Sequence, residues 1–150
     1  MTKERFTELV LASEPTLYRV SMSMLKNESD CEDAVQTAIL TAYEKLSSLK
    51  QEEYFKTWLV RILINACHRQ FRFRQRHTEL TEDIPAEENT TSFEIREALS
   101  RLPEKFRQPL VLFYLEDFSV KEIKDILRIP EGTVKSRLSK ARQLLKEHLS

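Results

Sequence analysis

A single glycine, Gly132, stands in a chain of 150 residues. Glycine is what strained turns and close backbone approaches require, because it takes positive φ at no steric cost. Alternating runs of β-branched residues are scarce as well. Both features point to helices throughout. They also exclude P-loops and dinucleotide-binding turns, which need several glycines to let phosphates approach the backbone. Hydrophobic residues at 41% and charged residues at 32% describe a foldable mixture with room for one ordinary domain or two small ones.

No apolar run reaches bilayer length, and the start, MTKERFTEL, lacks the apolar core of a signal peptide. The expected location is therefore the cytoplasm, with no membrane insertion and with Cys31 and Cys67 reduced. Neither cysteine has a second at metal-ligand spacing, and helical neighbours such as Cys67 and His68 point about 100° apart. No metal and no cofactor is expected. His68, His77 and His148 lie far apart without triad or ligand spacing, so the chain is not expected to be an enzyme.

Twenty-four basic and twenty-four acidic residues cancel, but they are segregated. From Tyr54 to Thr78 the charges are Lys56, Arg61, Arg69, Arg72, Arg74 and Arg76, without an acid. From Glu79 to Glu94 they are Glu79, Glu82, Asp83, Glu87, Glu88 and Glu94, without a base. From Arg128 to Lys146 there are Arg128, Lys135, Arg137, Lys140, Arg142 and Lys146 against Glu131 alone. Two basic surfaces separated by an acidic connector suit nucleic acid, although charge runs are also found as plain solvated faces. The connector HTELTEDIPAEENTTS contains Pro85 and no helical apolar period, which predicts a flexible linker over 77–92 between domains at 1–76 and 93–150.

Four helices are predicted in the first domain. Phe6, Leu9 and Val10 form a stripe that should stop near Ser13, because Pro15 disfavours helix at Glu14. Pro15 then opens a second helix carrying Leu17, Val20, Met24 and Leu25. Ser29 or Asp30 is expected to cap a third, with Val35, Ala38 or Ile39, Ala42, Leu46 and Leu49 inward. A fourth begins near Lys56 with Trp58, Leu59, Ile62, Leu63 and Ala66 and ends in HRQFRFRQR. In that tail Phe71 and Phe73 alternate with arginines, a composition that suits single-stranded nucleic acid, where bases stack on rings and cations follow phosphates. Either ring also reads as an ordinary core residue.

In the second domain Thr91 and Glu94 have capping-box spacing ahead of Ile95, Ala98, Leu99 and Leu102. Pro103 should open a helix through Tyr114 that Pro109 bends. Ser119 and Glu122 then cap a short helix with Ile123, Ile126 and Leu127 inward. The chain turns through Arg128–Gly132 into a longer helix, where Val134, Leu138, Ala141 and Leu145 recur at spacings of four, three and four. Lys135, Ser136, Ser139, Lys140 and Gln143 fall opposite. This is the pattern of a helix-turn-helix whose second helix enters the major groove, with Arg137 and Arg142 flanking on phosphates.

Three blocks, SDCEDAVQTAILTAYEKL, FKTWLVRILINACHRQFRFRQR and LPEKFRQPLVLFYLEDFSVKEIKDILRIPEGTVKSRLSKARQLL, resemble the extracytoplasmic-function sigma factors of bacterial RNA polymerase. The resemblance implies an all-α chain of two small domains, a four-helix one and a helix-turn-helix one, that directs promoter-specific initiation. It implies that Asp33, Gln36, Ile39 and Leu40 grip the clamp helices of the polymerase's largest subunit. Lys56, Trp58, Arg61, Asn65, Arg69, Arg72, Arg74 and Arg76 would serve the minus-ten element, Asn65 helping to read a flipped base in a pocket completed by the loop at about Ser48 to Phe55. Thr133, Lys135, Ser136, Arg137, Ser139, Lys140 and Arg142 would serve the minus-thirty-five element. The flap of the second polymerase subunit, promoter DNA and an anti-sigma factor are the further partners it implies. Thr37 and Ala38 depart from the Glu and Thr usual in that family.

Magnitudes favour a subunit over a self-sufficient helix-turn-helix regulator. A good bidentate base contact discriminates by roughly 1–3 kcal/mol, and the second domain offers two or three candidates. A flexible coil of linker length averages about 20–25 Å, whereas elements one and a half duplex turns apart lie about 50 Å apart. A larger machine has to hold the two readers in place. A self-sufficient regulator would need a dimer, and no heptad seam is present to build one.

Overall fold

The computed structural model describes residues 1–77 and 90–149, with side chains described for 1–76 and 94–149. The chain divides into two compact units, Met1–Pro85 and Ala86–Ser150. Among the described residues the regular structure is helical, and no helix is long and apolar enough to cross a membrane. Most of the acidic linker, and the side chain of Thr91 with its expected cap, lie outside the described residues.

The first unit holds three α-helices, α1 (Lys3–Leu25), α2 (Glu28–Glu44) and α3 (Phe55–His77). The break expected between Ser13 and Pro15 does not occur, and the four predicted helices are three. Pro15 lies on the exposed side of α1, so the missing N–H leaves only a solvent-side carbonyl without its bond. An internal proline costs about 3 kcal/mol. Against it stands one uninterrupted stripe of Phe6, Val10, Leu17, Val20 and Met24, all buried. Each side chain of that kind contributes roughly 1.5–3 kcal/mol, so burial wins.

The corner between α1 and α2 also differs from expectation. Lys26 takes a left-handed conformation at φ 59°, and Asn27, not Ser29 or Asp30, caps α2 by accepting from the Asp30 N–H at 3.0 Å. Asp30 is thereby freed to turn its carboxylate elsewhere. Ala34, Val35, Ala38 and Ala42 form the inner face of α2, where small side chains let α3 approach closely. Between α2 and α3 the chain makes 3-10 turns at Leu46–Ser48 and Glu52–Tyr54. α3 closes the core with Phe55, Leu59, Val60, Leu63, Ile64 and Cys67. Cys31 is buried against Met22, Sγ to Sδ 3.3 Å, and burial raises its thiol pKa above the ordinary value.

The second unit comprises α4 (Thr90–Ser100), α5 (Glu104–Leu110), α6 (Val120–Leu127) and α7 (Glu131–Leu149). Pro103 serves as the N-cap of α5 and not as its first helical residue. Pro109 does more than bend a helix. Just past it the ladder widens into a π turn over Val111–Leu115, closed by Glu116 N–H to the Val111 carbonyl at 3.1 Å. Arg107 reaches back to the Leu102 carbonyl at 2.8 Å, and its burial lowers the guanidinium pKa. Ser119 and Glu122 form the complete capping box of α6. Val134, Leu138 and Ala141 seat α7, with Leu145 half-buried beyond them.

Arg128 makes the sharp turn into α7, at φ 56° and ψ 48°, while Gly132 already lies within the helix. Gly132 has no positive φ, and an added Cβ would meet nothing within 4 Å. Gly132→Ala should therefore raise the stability of this unit by about 0.5–1 kcal/mol. Ser119→Ala should lower it by about 0.5–2 kcal/mol by removing the cap. Denaturant unfolding of the two variants, with opposite signs expected, checks both.

Candidate nucleic-acid and polymerase interfaces

At 100° per residue, Trp58, Arg61, Asn65, Arg69, Arg72 and Arg76 fall on one stripe of α3. Asn65, Arg69, Arg72 and Arg76 are exposed along about 16 Å of helix, and Arg61 is half-buried at its start. A neutral amide followed by three cations is suited to one base edge and a run of phosphates. Trp58 belongs to the stripe by phase but not by access. Its ring is only 9% exposed and packs on Phe55 with centroids 5.8 Å apart, which makes it core. Lys56 is exposed on the far side of the helix. Arg74 turns inward, donating from Nη1 to Asp30 Oδ1 at 3.3 Å. Phe71 and Phe73 are 49% and 51% exposed, so neither is a core residue.

The loop preceding α3 is tied to α1. Arg5 donates to Glu52 Oε1 at 2.7 Å and to Glu8 Oε2 at 2.9 Å, and the two carboxylates, Glu52 first, raise its pKa. Phe55, at the loop's end, meets the Phe6 ring edge-on at 5.8 Å. Tyr54 is left 57% exposed at the mouth of the stripe.

The outer face of α2 carries Asp33, Gln36 and Leu40, all exposed, with Ile39 half-buried at its edge. Leu40 is 65% exposed, which gains nothing in water. Tyr43 extends the same face, its ring edge-on to Phe6 at 5.3 Å and still 49% exposed. Sequence reasoning missed Tyr43, although its spacings of three from Leu40 and seven from Gln36 place it there. An apolar patch rimmed by Asp33 and Gln36 has the composition of a protein-binding surface.

In α7, Ser136, Ser139, Lys140 and Gln143 point away from the buried Val134, Leu138 and Ala141. Lys135 lies on one flank, 3.7 Å from Glu131, and Thr133 and Arg137 lie on the other, half-buried. Ser136 Oγ donates to the Thr133 carbonyl at 3.1 Å, which orients the hydroxyl within the first turns of the helix. Arg142 departs from this group. It donates to the Tyr114 hydroxyl at 3.0 Å, about 16 Å along the helix from its start.

Arg142 and Tyr114 instead edge an apolar groove of ≈ 510 Å³, floored by Ile95, Leu99, Leu110, Leu115, Leu145 and Leu149. Ile95, Tyr114, Leu115 and Leu149 remain between 42% and 50% exposed. Sequence reasoning did not anticipate the groove. Its signal was the surplus of apolar residues at the ends of the flanking helices, Ile95 on α4 and Leu149 on α7, beyond what the small core consumes.

Comparison with known proteins places both units. The family model for Sigma-70 region 2 matches residues 9–77, and that for Sigma-70 region 4 matches residues 92–145. The chain is 28% identical to the ECF RNA polymerase sigma factor SigW of Bacillus subtilis, over 98% of this chain and 90% of that protein. It is 32% identical to the ECF RNA polymerase sigma factor SigM of Mycobacterium tuberculosis, over 93% of this chain and 74% of that one. The solved sigma factor RpoE of Bartonella quintana, in complex with the anti-sigma factor NepR, superposes with a TM-score of 0.84 at 28% identity, covering 97% of each chain. With region 2 supplying the basic stripe and region 4 the helix-turn-helix, the chain belongs to the extracytoplasmic-function sigma factors, the subunits through which bacterial RNA polymerase initiates transcription at chosen promoters.

Proposed function

We propose that residues 1–76 bind the polymerase core and open the minus-ten element, that residues 93–150 read the minus-thirty-five element, and that residues 77–92 link them. The exposed run of Asn65, Arg69, Arg72 and Arg76 on one face of α3 carries the reading. Asn65 offers an amide to a single base, and the three arginines hold the strand leading to it. Lys135, Ser136, Ser139 and Lys140 read base edges in the major groove, while Thr133 and Arg137 brace the helix on the backbone. The chain performs no catalysis of its own. It acts in the cytoplasm and lends specificity to an enzyme that supplies the chemistry.

The outer face of α2, with Asp33, Gln36, Ile39, Leu40 and Tyr43, is the surface proposed to meet the clamp helices of the largest polymerase subunit. The groove of the second unit, apolar on its floor and edged by Arg142, suits the flap element of the second subunit. An inhibitory partner is also proposed, in keeping with the complex of the Bartonella quintana relative with its anti-sigma factor.

Neither reader suffices alone. Each phosphate contact contributes a salt slope of about 0.9 to DNA binding, and two or three base contacts discriminate by a few kcal/mol at most. The free chain should therefore bind DNA weakly and lose affinity steeply with salt, becoming specific when core polymerase is added. Gel-shift titration at two salt concentrations, with and without core enzyme, measures this. Tight, specific binding by the free chain would favour a self-sufficient regulator and overturn the reading. Asn65→Ala should slow open-complex formation roughly tenfold to hundredfold, the loss of one base contact, with core binding unchanged. Leu40→Asp should do the reverse, weakening core binding by about tenfold or more while leaving thermal stability within about 0.5 kcal/mol, because the side chain is exposed.

A further inference from the structure

Asp30 is one of the few buried polar residues of the first unit, 6% exposed at the start of α2. Its Oδ1 accepts two bonds from α3, from Gln70 Nε2 at 3.2 Å and from Arg74 Nη1 at 3.3 Å. Gln70 and Arg74 are four residues apart, so one carboxylate oxygen grips a full turn of the basic tail. The carboxylate is supported from its own side. The Asp30 N–H is capped by Asn27, and the first turn of α2 favours negative charge.

The gripped tail would otherwise be poorly held. Arg69, Arg72, Arg74 and Arg76 crowd within eight residues, and like charges three or four apart destabilise a helix. Phe71 and Phe73 are about half exposed and lie outside the core. Leu63, Ile64 and Cys67 fix α3 only as far as the middle of its length.

We infer that Asp30 is a positioning residue for promoter binding: through Gln70 and Arg74 it keeps the last two turns of α3 helical and the Arg69, Arg72 and Arg76 stripe aimed before DNA arrives. Arg74 is then a tether and not a phosphate ligand. Since neither Asp30 nor Arg74 touches DNA in this arrangement, the pair acts by sparing the complex the ordering of the tail. The inference rests on the assignment of α3 as the minus-ten helix.

The test uses the full chain with core polymerase and compares Asp30→Asn, Arg74→Gln, the double variant, and Arg69→Gln as a reference for a direct phosphate contact. Amide exchange in residues 70–77 of the free protein should rise about tenfold in Arg74→Gln, the loss of one hydrogen bond to a charged group, and by at least as much in Asp30→Asn, while exchange in the rest of α3 stays as it was. Promoter binding should fall by a similar factor in Arg74→Gln and by at least as much in Asp30→Asn, which also loosens Gln70. The double variant should fall no further than Asp30→Asn, because Arg74 acts through Asp30. Affinity for core polymerase should not change. Arg69→Gln should flatten the salt dependence by about one phosphate, whereas Arg74→Gln should leave it unaltered.

Flattening by Arg74→Gln, or additive losses in the double variant, would overturn the tether and make Arg74 a phosphate ligand. Unchanged exchange in the tail of either single variant would overturn it as well. If Asp30→Asn does not yield folded protein, Arg74→Gln decides by the same exchange and salt readouts, since Arg74 is partly exposed and its loss leaves the core intact. If Arg69→Gln has no effect on promoter binding while the exchange results hold, the assignment of the helix fails and the tether survives.

Discussion

Charge repulsion along α3 is the constraint around which the first unit is arranged. α3 concentrates cations on one face, and every added cation weakens the helix that displays it. The cost is met at a distance from the charges. Phe55 through Cys67 bury the first half of α3 against α1 and α2, so the second half inherits its direction from a rigid stem. The small residues of α2, Ala34, Ala38 and Ala42, matter for the same reason. They bring the N-terminal end of α2 close enough for Asp30 to reach across, and a bulkier inner face would hold the basic tail out of its range.

The same logic separates two exposed faces on one small body. α2 turns its inner side to the core and its outer side, with Leu40 and Tyr43, to solvent. α3 contributes a core face and a polar face in the same way. The two exposed faces thus lie on different helices, and either can be altered with limited effect on the other. In the second unit one helix divides its length instead. The first turns of α7 present Ser136, Ser139 and Lys140, and its far end closes the apolar groove with Leu145 and Leu149.

What was legible in the chain was whatever local chemistry decides. The capping box at Ser119, the buried period of α7, the amphipathic start of α3 and the segregation of charge all follow from neighbours within a few residues. What was not legible depended on tertiary burial. Pro15 was read as a break because its local cost is real, yet the stripe from Phe6 to Met24 outweighs it. Asn27 took the cap because a left-handed Lys26 brings the chain round two residues before Ser29, the earlier of the two caps expected. Asp30 and Arg74 carry the chemistry of exposed functional residues, and only the packing of α3 shows one to be a buried acceptor and the other its donor. The groove was hidden because apolar residues left at a surface look identical, in sequence, to those destined for a core.

The π turn at Val111–Leu115 sets the phase of everything that follows it. Such a turn is an α-helix with one residue too many, and it swings the backbone after Pro109 so that Tyr114 can meet Arg142 on α7. That contact spans 28 positions in sequence and ties α7 to the helix that precedes it at the edge of the groove. Losing a single residue from the turn would restore ordinary helical winding and rotate the downstream chain by about 100°. The apolar groove and the polar face of α7 share one mechanical clock, and neither can be re-timed without resetting the other.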